Sequence, residues 1–478
     1  MSVTKHVMFD EWRYWRRTRL GITILIIGMV MTFAAVLVNS LNMNQANVER
    51  ATLQQTAEQR FLSQPDRHPH RMVHYGHYVF RNPALLSTVE PGIDPYTGTS
   101  IFLEGHRQNS AMFSQQRQSS GLTRFSSLSP GFLLQTLMPL LIIAMGYGAV
   151  SREREAGTLT ILVTQGVESL QLLAGKFFAL ISAASLLLVP ALIAVIWATV
   201  SGESIAVGIG FILAYIAYIT VWALIVITVS TLSKTSRASF GASIGIWIVL
   251  CVLMPRIGSS VAVAVTPTIG KLEADYAVLE ELRTLGDGHN AADPAFAKLK
   301  ANLLAQYEVD SVDELPINFR GAVAQFSEAQ LTGVLNKHAE FRMAEELEQA
   351  KIARQFGWVS PMVAVRNLAM TIAGTDLQTH HRFLREAEAL RFDFVQSLNG
   401  VHKDHLDYQT DINRSKGPEA SKAARVDADH WSVLSAFHFS TESSAERLKT
   451  SVLYWGQLAL WLVLMIVVGT SAKRKLSQ

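Results

Sequence analysis

The stretch of sequence that decides the fold runs from Gly131 to Val163 and reads GFLLQTLMPLLIIAMGYGAV followed by SREREAGTLTILV. Its first part, residues 131–150, contains no Asp, Glu, Lys, Arg or His. A helix of that length crosses the roughly 30 Å hydrocarbon core of a bilayer. The second part must lie outside the hydrocarbon, because ionised side chains are costly within it. The stretch therefore predicts a transmembrane helix that ends in a short charged loop.

Six charge-free apolar runs of this kind occur along the chain. They are residues 20–38, 131–150, 177–200, 205–232, 238–255 and 451–470. Hydrophobic residues make up 49% of the 478 residues and charged residues 17%, a composition that excludes a soluble single-domain protein. The apolar stretch 256–265 is expected to lie in the membrane interface or to re-enter the membrane. The predicted fold class is an all-α membrane protein with six transmembrane helices.

The distribution of Lys and Arg predicts the orientation of the chain. Of the 42 Lys and Arg residues, 13 fall in four short segments, namely 1–20, 151–176, 232–238 and 472–478. The positive-inside rule places these segments, and hence both termini with the tail 471–478, in the cytoplasm. Residues 1–19 are expected to form an interfacial helix, or else an ordinary basic flank with aromatic rings at the membrane surface.

Two large segments, 39–130 and 256–450, are then extracytoplasmic. Apolar residues recur at helical spacing in the second segment, which predicts a helical insertion. The centre of the first segment contains Pro83, Pro91 and Pro95 and is expected to form turns and short strands. Together the two segments are expected to build one mainly helical extracytoplasmic domain with minor β structure.

The charged loop is also amphipathic. Thr158, Leu159, Leu162 and Val163 share one face if the segment is helical. An apolar face exposed to the cytosol needs either a groove on a partner protein or a resting place on the bilayer surface. The residues alone leave these two alternatives open.

The loop resembles a known family. Residues 152–159 read REREAGTL, an apolar pair follows, and residues 172–177 read LLAGKF. Over residues 151–178, between the second and third apolar runs, the chain resembles the cytosolic coupling-helix loop of ABC type-2 permeases, the exporter class. Residues 164–169 depart from the pattern of relatives. An uncharacterised bacterial subfamily of these permeases, with two extracytoplasmic insertions, is similar to this chain over residues 76–80, 90–99, 103–109, 360–361, 373–377 and 380–382.

The resemblance implies a permease subunit in the bacterial inner (plasma) membrane that is moved by a separate ABC ATPase dimer. ATP and Mg²⁺ would bind that partner, and this chain would carry no cofactor. Two permeases, identical or paralogous, would assemble in the lipid bilayer, and an extracytoplasmic protein is a further candidate partner. The residues that the resemblance assigns to ATPase coupling are Arg152, Glu153, Arg154, Glu155, Gly157, Thr158, Leu159 and Leu162.

The sequence agrees with an energy source outside this chain. It contains no Gly-x-x-x-x-Gly-Lys-Ser/Thr loop, and no catalytic set stands out, so the chain is predicted not to be an enzyme. The six apolar runs lack the ionisable residues that ion-coupled carriers use at membrane depth. A formal net charge of +3 argues against a nucleic-acid partner.

Export of a small or peptide-like compound is the function that the resemblance implies. A receptor with an extracytoplasmic ligand domain is the weaker rival, because it would need a sizeable cytoplasmic output domain and the inside segments are short. A mechanical or maturation machine that acts on extracytoplasmic protein stays open as the nearer alternative.

Four histidines lie within ten positions of the first outside segment. Copper or zinc binding is conceivable for His68, His70, His74 and His77. Pro69 and Gly76 are expected to interrupt any helix here, and Arg67 and Arg71 would repel a cation. We therefore expect solvated or hydrogen-bonded histidines and no metal site.

Individual residues in the apolar runs carry further expectations. Pro139 and Pro190 are expected to kink the second and third transmembrane helices. Gly241 and Gly245 have the spacing of a close helix contact, either inside the chain, which base rates favour, or with a second permease. Cys251 is the single cysteine, which excludes an intrachain disulfide and a cysteine-based metal site.

Overall fold

The computed structural model describes residues 2–112, 129–283 and 293–473, and most of these residues are helical. The end of the predicted tail 471–478 lies outside them, beyond residue 473. Two short strands, β1 (His77–Phe80) and β2 (Ser100–Leu103), pair antiparallel with His77 opposite Leu103.

The helices of the membrane region are Val3–Thr18, Leu20–Leu62, Pro130–Phe132, Leu133–Leu137 (π), Met138–Gly146, Ser151–Glu155, Thr158–Thr164, Ser169–Leu187, Val189–Val200, Ile205–Leu232, Ser236–Trp247, Ile248–Leu253 (π), Met254–Val265 and Val452–Lys473. The other helices are Pro69–Tyr75, Leu85–Thr88 (3₁₀), Lys271–Leu282, Pro294–Phe296 (3₁₀), Ala297–Tyr307, Val312–Glu314 (3₁₀), Phe319–Gln355, Phe356–Trp358 (3₁₀), Pro361–Ala373, Leu377–His405, Tyr408–Ile412, Pro418–Ala423, Ala428–Val433 (3₁₀) and Ser444–Thr450.

Within the described residues, six helices are long and apolar enough to cross a membrane. We number them spans 1 to 6: Leu20–Leu62, Pro130–Glu155, Ser169–Leu187, Ile205–Leu232, Ser236–Val265 and Val452–Lys473. The shorter apolar helix Val189–Val200 continues span 3. The prediction of a mainly helical chain with little β structure is confirmed, and the six candidate spans agree with the predicted number of transmembrane helices.

Span 1 is longer than its apolar run. It was expected to end at Val38, but it continues without a break to Leu62. Its 43 residues give a rod of about 65 Å, roughly twice the thickness of the hydrocarbon. Residues 39–62 contain no Gly or Pro and are rich in good helix formers, so nothing in them ends the helix.

Span 5 also extends beyond its predicted end. Residues 256–265 continue the helix without a break, so they do not form a separate re-entrant segment, and the expectation that they lie in the membrane interface stays a prediction. Pro255 does not stop the helix, because the preceding turns, Ile248–Leu253, widen into a π-helix. The Leu250 carbonyl in that segment accepts a hydrogen bond from the Ser360 hydroxyl at 2.7 Å.

The other prolines interrupt the helices where the sequence predicted. A π segment, Leu133–Leu137, precedes Pro139, and span 3 stops at Leu187 ahead of Pro190. Pro139 cannot donate to the carbonyl of Gln135, and that oxygen accepts a 2.5 Å hydrogen bond from the Tyr218 hydroxyl instead. A side chain of span 4 thus satisfies the backbone carbonyl that Pro139 leaves without a partner.

The helices alternate in direction, so their connections lie at two ends. The short-loop end carries the helix Val3–Thr18, residues 156–168 and the turn 233–235. The large-domain end carries residues 63–112, the turn 201–204, and residues 266–283 and 293–450. At this end Glu203 forms a buried bidentate ion pair with Arg447, with N–O distances of 2.6 and 3.1 Å.

The larger of the two apolar clusters among the described residues of the large domain draws on both insertions. Phe61 and Val79 from the first insertion pack with Phe383 and Phe394 from the second, all fully buried. Beside this core Arg391 binds the carboxylates of two glutamates, Glu328 at 2.5 Å and Glu388 at 2.8 Å. Burial alone would raise the pKa of Glu328, but hydrogen bonds from His106 and the charge of Arg391 lower it to about 2.

The Glu203–Arg447 pair should be a main support of the large-domain end. We expect Arg447→Met to lower the free energy of unfolding by about 3–5 kcal/mol, because Glu203 would stay buried without a partner. The exposed pair of Lys449 with Glu446, at 3.4 Å, offers a matched control, and Lys449→Met should cost less than about 1 kcal/mol. Thermal unfolding of the purified chain in detergent measures both, and equal losses would contradict the assigned role.

Candidate functional site

The charged loop after span 2 folds into two short helices, Ser151–Glu155 and Thr158–Thr164. Gly157 joins them with φ +72°, a left-handed conformation that glycine adopts without the steric cost of a Cβ. The second of these helices, Thr158–Thr164, lies within residues 151–178, the stretch that resembles a coupling-helix loop. Gly157 therefore sets the angle between the charged turn and the apolar turn of the loop.

The loop rests on the N-terminal helix Val3–Thr18. That helix lies against the start of span 3, where a Cβ added at Gly175 would come within 2.6 Å of the Val7 Cβ. Glycine is required at this position because the two helix backbones approach each other so closely. Leu159 and Leu172 pack with Val150 beneath the loop to form a small apolar cluster.

A buried ion network fixes the loop to this support. Glu11 is 2% exposed and Lys176 is 3% exposed, and their side chains form an ion pair. Arg152 binds Glu11 at 2.8 Å, and Glu153 binds Lys176 at 2.9 Å. Each acidic side chain therefore contacts a basic one, and each basic side chain contacts an acidic one. Buried charges are stable only when they are paired in this way. The Arg152 guanidinium also stacks 3.5 Å above the Tyr14 ring.

The same loop holds the ends of the neighbouring spans. Arg154 donates hydrogen bonds to the carbonyls of Thr231, at 2.9 Å, and Ser233, at 2.5 Å, at the end of span 4. These are carbonyls that a helix end leaves without intrahelical partners. Glu155 accepts a 2.5 Å hydrogen bond from the Ser236 hydroxyl at the start of span 5. The loop is thus connected to spans 3, 4 and 5 at once.

The outward face of the loop differs from the predicted one. Leu159 is only 9% exposed and Leu162 is half-buried, so both lie inward and not on an exposed apolar face. The apolar residues that face outward are Ile161, 55% exposed, and Val163, 40% exposed. Glu155 and Gly157 are exposed, while Arg152, Glu153, Arg154 and Thr158 are half-buried. Thr158 donates a 2.5 Å hydrogen bond to the Glu153 carboxylate.

Sequence reasoning missed three residues of this site: Glu11, Tyr14 and Lys176. The signal that was present is an acidic side chain inside an aromatic and arginine-rich helix that lies against the membrane. Such an acid must find a cation when it is buried. Which cation it finds depends on how the N-terminal helix packs against span 3, and the sequence does not show this.

The four histidines considered for a metal do not form one cluster. His68 lies with His402 and Asp411, whereas His70 and His74 lie with His106. His77 is buried in the large domain, and burial lowers its pKa to about 4. Pro69 does not interrupt the helix as predicted but begins it, and the helix Pro69–Tyr75 ends before Gly76.

A polar cleft of about 750 Å³ lies at the junction of the spans with the large domain. Its charged lining residues are Arg50, Arg81, Arg256, Arg366, Glu90 and Asp94. Asp94 pairs with Arg81, and the Glu90 carboxylate contacts the Tyr215 hydroxyl at 3.2 Å. Arg256 and Arg366 are exposed, so the cleft offers positive charge to an anionic group.

Comparison with known proteins assigns part of the large domain. Residues 271–440 match the family model described as a domain of unknown function, DUF3526. No curated protein and no solved structure matches the chain. The match covers the helical insertion between spans 5 and 6 and contains no residue of the loop 151–176.

The buried network gives a direct test of the support of the loop. Glu11→Gln should lower the free energy of unfolding by about 3 kcal/mol, because Lys176 and Arg152 lose their shared carboxylate. Asp10→Asn, at the exposed neighbouring position, should leave the stability unchanged. The double variant Glu11→Leu/Lys176→Leu should be more stable than Glu11→Gln, since it removes both buried charges. Thermal unfolding gives the comparison, and equal effects of the Glu11 and Asp10 substitutions would refute it.

Proposed function

We propose that the chain is the membrane-spanning permease subunit of an ATP-driven ABC transporter, and that it works as an exporter. The observation that carries the proposal is the structure of the loop 151–176. Its short helix Thr158–Thr164 has exposed apolar residues, and buried ion pairs hold the loop against the N-terminal helix and span 3. A surface helix that merely rested on lipid would not need such a support. A helix that receives force from another protein does need one.

The proposed mechanism follows the contacts of the loop. ATP and Mg²⁺ bind a separate ATPase dimer, whose closure presses on Thr158–Thr164. The ion network passes the movement to span 3 and to the N-terminal helix. Arg154 and Glu155 pass it to the facing ends of spans 4 and 5. The bundle then changes between two arrangements, as in other rigid-body switches.

A second permease subunit, identical or paralogous, completes the proposed complex. A dimeric ATPase offers two docking sites, and this chain presents one loop helix. Apart from the adjacent turns of its own helix, no described residue lies within 4 Å of a Cβ added at Gly241 or Gly245, so the expectation that these glycines pack inside the chain is wrong. Span 5 is also the least covered of the six candidate spans, with 17% of its apolar window buried. The exposed face of span 5 supports its use as the contact between permeases.

The proposed location is the bacterial inner membrane, with the short-loop end and both termini in the cytoplasm. The Lys and Arg residues of segments 1–20, 151–176 and 232–238 support this orientation. The large domain is then extracytoplasmic. The polar cleft opens at the same end, and its arginines favour a substrate that carries an anionic group.

A second candidate function is mechanical action on an extracytoplasmic protein, without passage of cargo. The observation that favours it is span 1, which runs as one helix from the membrane into the core of the large domain. Phe61, near the end of this helix, packs edge-on against Phe394 with ring centroids 5.8 Å apart. A rod of this kind can transmit movement of the bundle to the domain.

The coupling proposal predicts loss of ATPase binding when the exposed face of the loop is charged. For Ile161→Asp/Val163→Asp we expect at least a tenfold fall in ATP hydrolysis that co-purifies with the tagged chain, because two apolar anchors are lost. Phe341→Asp, at an exposed position of the helix Phe319–Gln355, is the matched control and should retain the activity. Unchanged co-purified hydrolysis in the double variant, at equal expression, would count against the docking face.

The orientation is testable by labelling a single cysteine. In a Cys251→Ser background, we expect a membrane-impermeant maleimide to label Ser432→Cys on intact spheroplasts, because residue 432 is exposed on the large domain. Thr160→Cys, exposed on the loop, should be labelled only after the membrane is permeabilised. Labelling of Thr160→Cys on intact spheroplasts would place the loop outside the cytoplasm and contradict the transporter proposal.

A further inference from the structure

Three histidines of the large domain converge on one point. His70 and His74 lie one turn apart on the helix Pro69–Tyr75, and their Nε2 atoms are 3.2 Å apart. The ring of His106, which follows β2, has its centroid 5.6 Å from that of His70 and 5.2 Å from that of His74. One nitrogen of each ring lies within 4.8 Å of one nitrogen of each other ring.

This spacing suits a tetrahedral metal ion. Zinc binds imidazole nitrogen at about 2.0–2.1 Å, so two ligands in a tetrahedron lie about 3.3 Å apart. The His70–His74 distance already has this value. His70 and His106 are half-buried and His74 is exposed, so small side-chain rotations can bring the third nitrogen into the same range.

The buried carboxylate of Glu328 contacts the third histidine, His106. The Nδ1 atom of His106 lies 3.1 Å from the Glu328 Oε2 atom, and its backbone N–H donates to the same oxygen at 3.1 Å. A carboxylate behind an imidazole fixes its tautomer and orientation, and metal-binding histidines commonly have one. His106 also has φ +64°, which is uncommon outside glycine. Arg391 in turn holds Glu328 in place.

We propose that His70, His74 and His106 form a binding site for a borderline divalent transition metal ion, Zn²⁺ first and Cu²⁺ second. The three imidazole nitrogens can supply three of the four ligands of a tetrahedral zinc ion. Imidazole donors suit zinc and copper, whereas Ca²⁺ and Mg²⁺ prefer oxygen donors.

Two arginines lie near the site in sequence. The Arg67 guanidinium lies over the Tyr75 ring, 5.6 Å from its centroid. Arg71 lies three residues before His74 on the helix Pro69–Tyr75, so the two side chains share a face. Arg71 is exposed, and solvent ions therefore screen its repulsion of a cation at His74.

The second histidine cluster of the same domain shows the contrast. Both oxygens of Asp411 are occupied, by His68 at 3.1 Å and by His402 at 2.8 Å. Arg414 and Asn318 donate to the same carboxylate. Burial alone would raise the pKa of Asp411, but the two imidazoles hold it well below its ordinary value. That cluster is a buried ion network in which a guanidinium already fills the place of a cation.

A bound metal would join the two insertions. The ligands come from residues 63–112, whereas Glu328 belongs to the helix Phe319–Gln355 of the second insertion. The ion would therefore tie the helix Pro69–Tyr75 and the turn after β2 to that helix. This property is separate from the proposed coupling to an ATPase, and the protein alone is enough to measure it.

The test uses the full-length chain, purified in detergent without a histidine tag and stripped with a chelator. We expect one equivalent of Zn²⁺ to be retained after dialysis, and Zn²⁺ to raise the unfolding temperature, as for any ligand that binds only the folded state. His74→Gln should weaken Zn²⁺ binding at least about tenfold and remove the thermal shift. Co²⁺ should give the visible absorption of a tetrahedral nitrogen site in the wild type but not in His74→Gln.

The control is the pair His405 and His430, whose ring centroids lie 4.4 Å apart in the same domain. His405→Ala/His430→Ala should bind Zn²⁺ as the wild type does. Since His74 is exposed, His74→Gln should keep the metal-free unfolding temperature, which shows that the variant is folded. Failure of the wild type to retain zinc or copper, or equal retention by His74→Gln, would overturn the proposal.

Discussion

The ion pair between Glu11 and Lys176 is the interaction on which the short-loop end depends. Both side chains are buried where the helices leave the bilayer, and an unpaired charge there would cost several kcal/mol. The pair can form only if the N-terminal helix lies against the start of span 3. Glu153 and Arg152 extend the pairing, so the loop helices have one position that satisfies all four charges. At the opposite end, Glu203 and Arg447 apply the same constraint.

The spans were predictable because hydrocarbon thickness imposes a minimum length of apolar sequence. The ends of the spans were not, since a helix stops only where its sequence or its packing stops it. Residues 39–62 and 256–265 are less apolar than the runs before them, yet they continue the helices because no residue there breaks the backbone pattern. Hydropathy predicts which residues can lie in the hydrocarbon, but it does not predict where the helix that contains them ends.

The candidate site was predictable in position but not in detail. The charged loop was recognised by its sequence, yet the face that it exposes depends on the small cluster around Leu159 and Leu172. A helical wheel cannot decide which apolar face is inward when the helix carries apolar residues on both sides. His106 was missed for a similar reason. It lies 32 positions from His74, and only the pairing of β1 with β2 brings it near the helix Pro69–Tyr75.

The polar cleft connects the two ends of the proposed mechanism. Its walls include Asn39 and Arg50 from span 1, Gln135 from span 2 and Arg256 from span 5, together with Arg366 from the helix Pro361–Ala373, which packs in the apolar core of the spans. A cleft whose walls belong to separate helices changes shape whenever those helices move relative to one another. The loop contacts the start of span 5 through Glu155, and Arg256 near the other end of the same span lines the cleft. Under the proposed function, ATP hydrolysis would therefore alter the spacing of the exposed arginines, and with it the affinity for an anionic group.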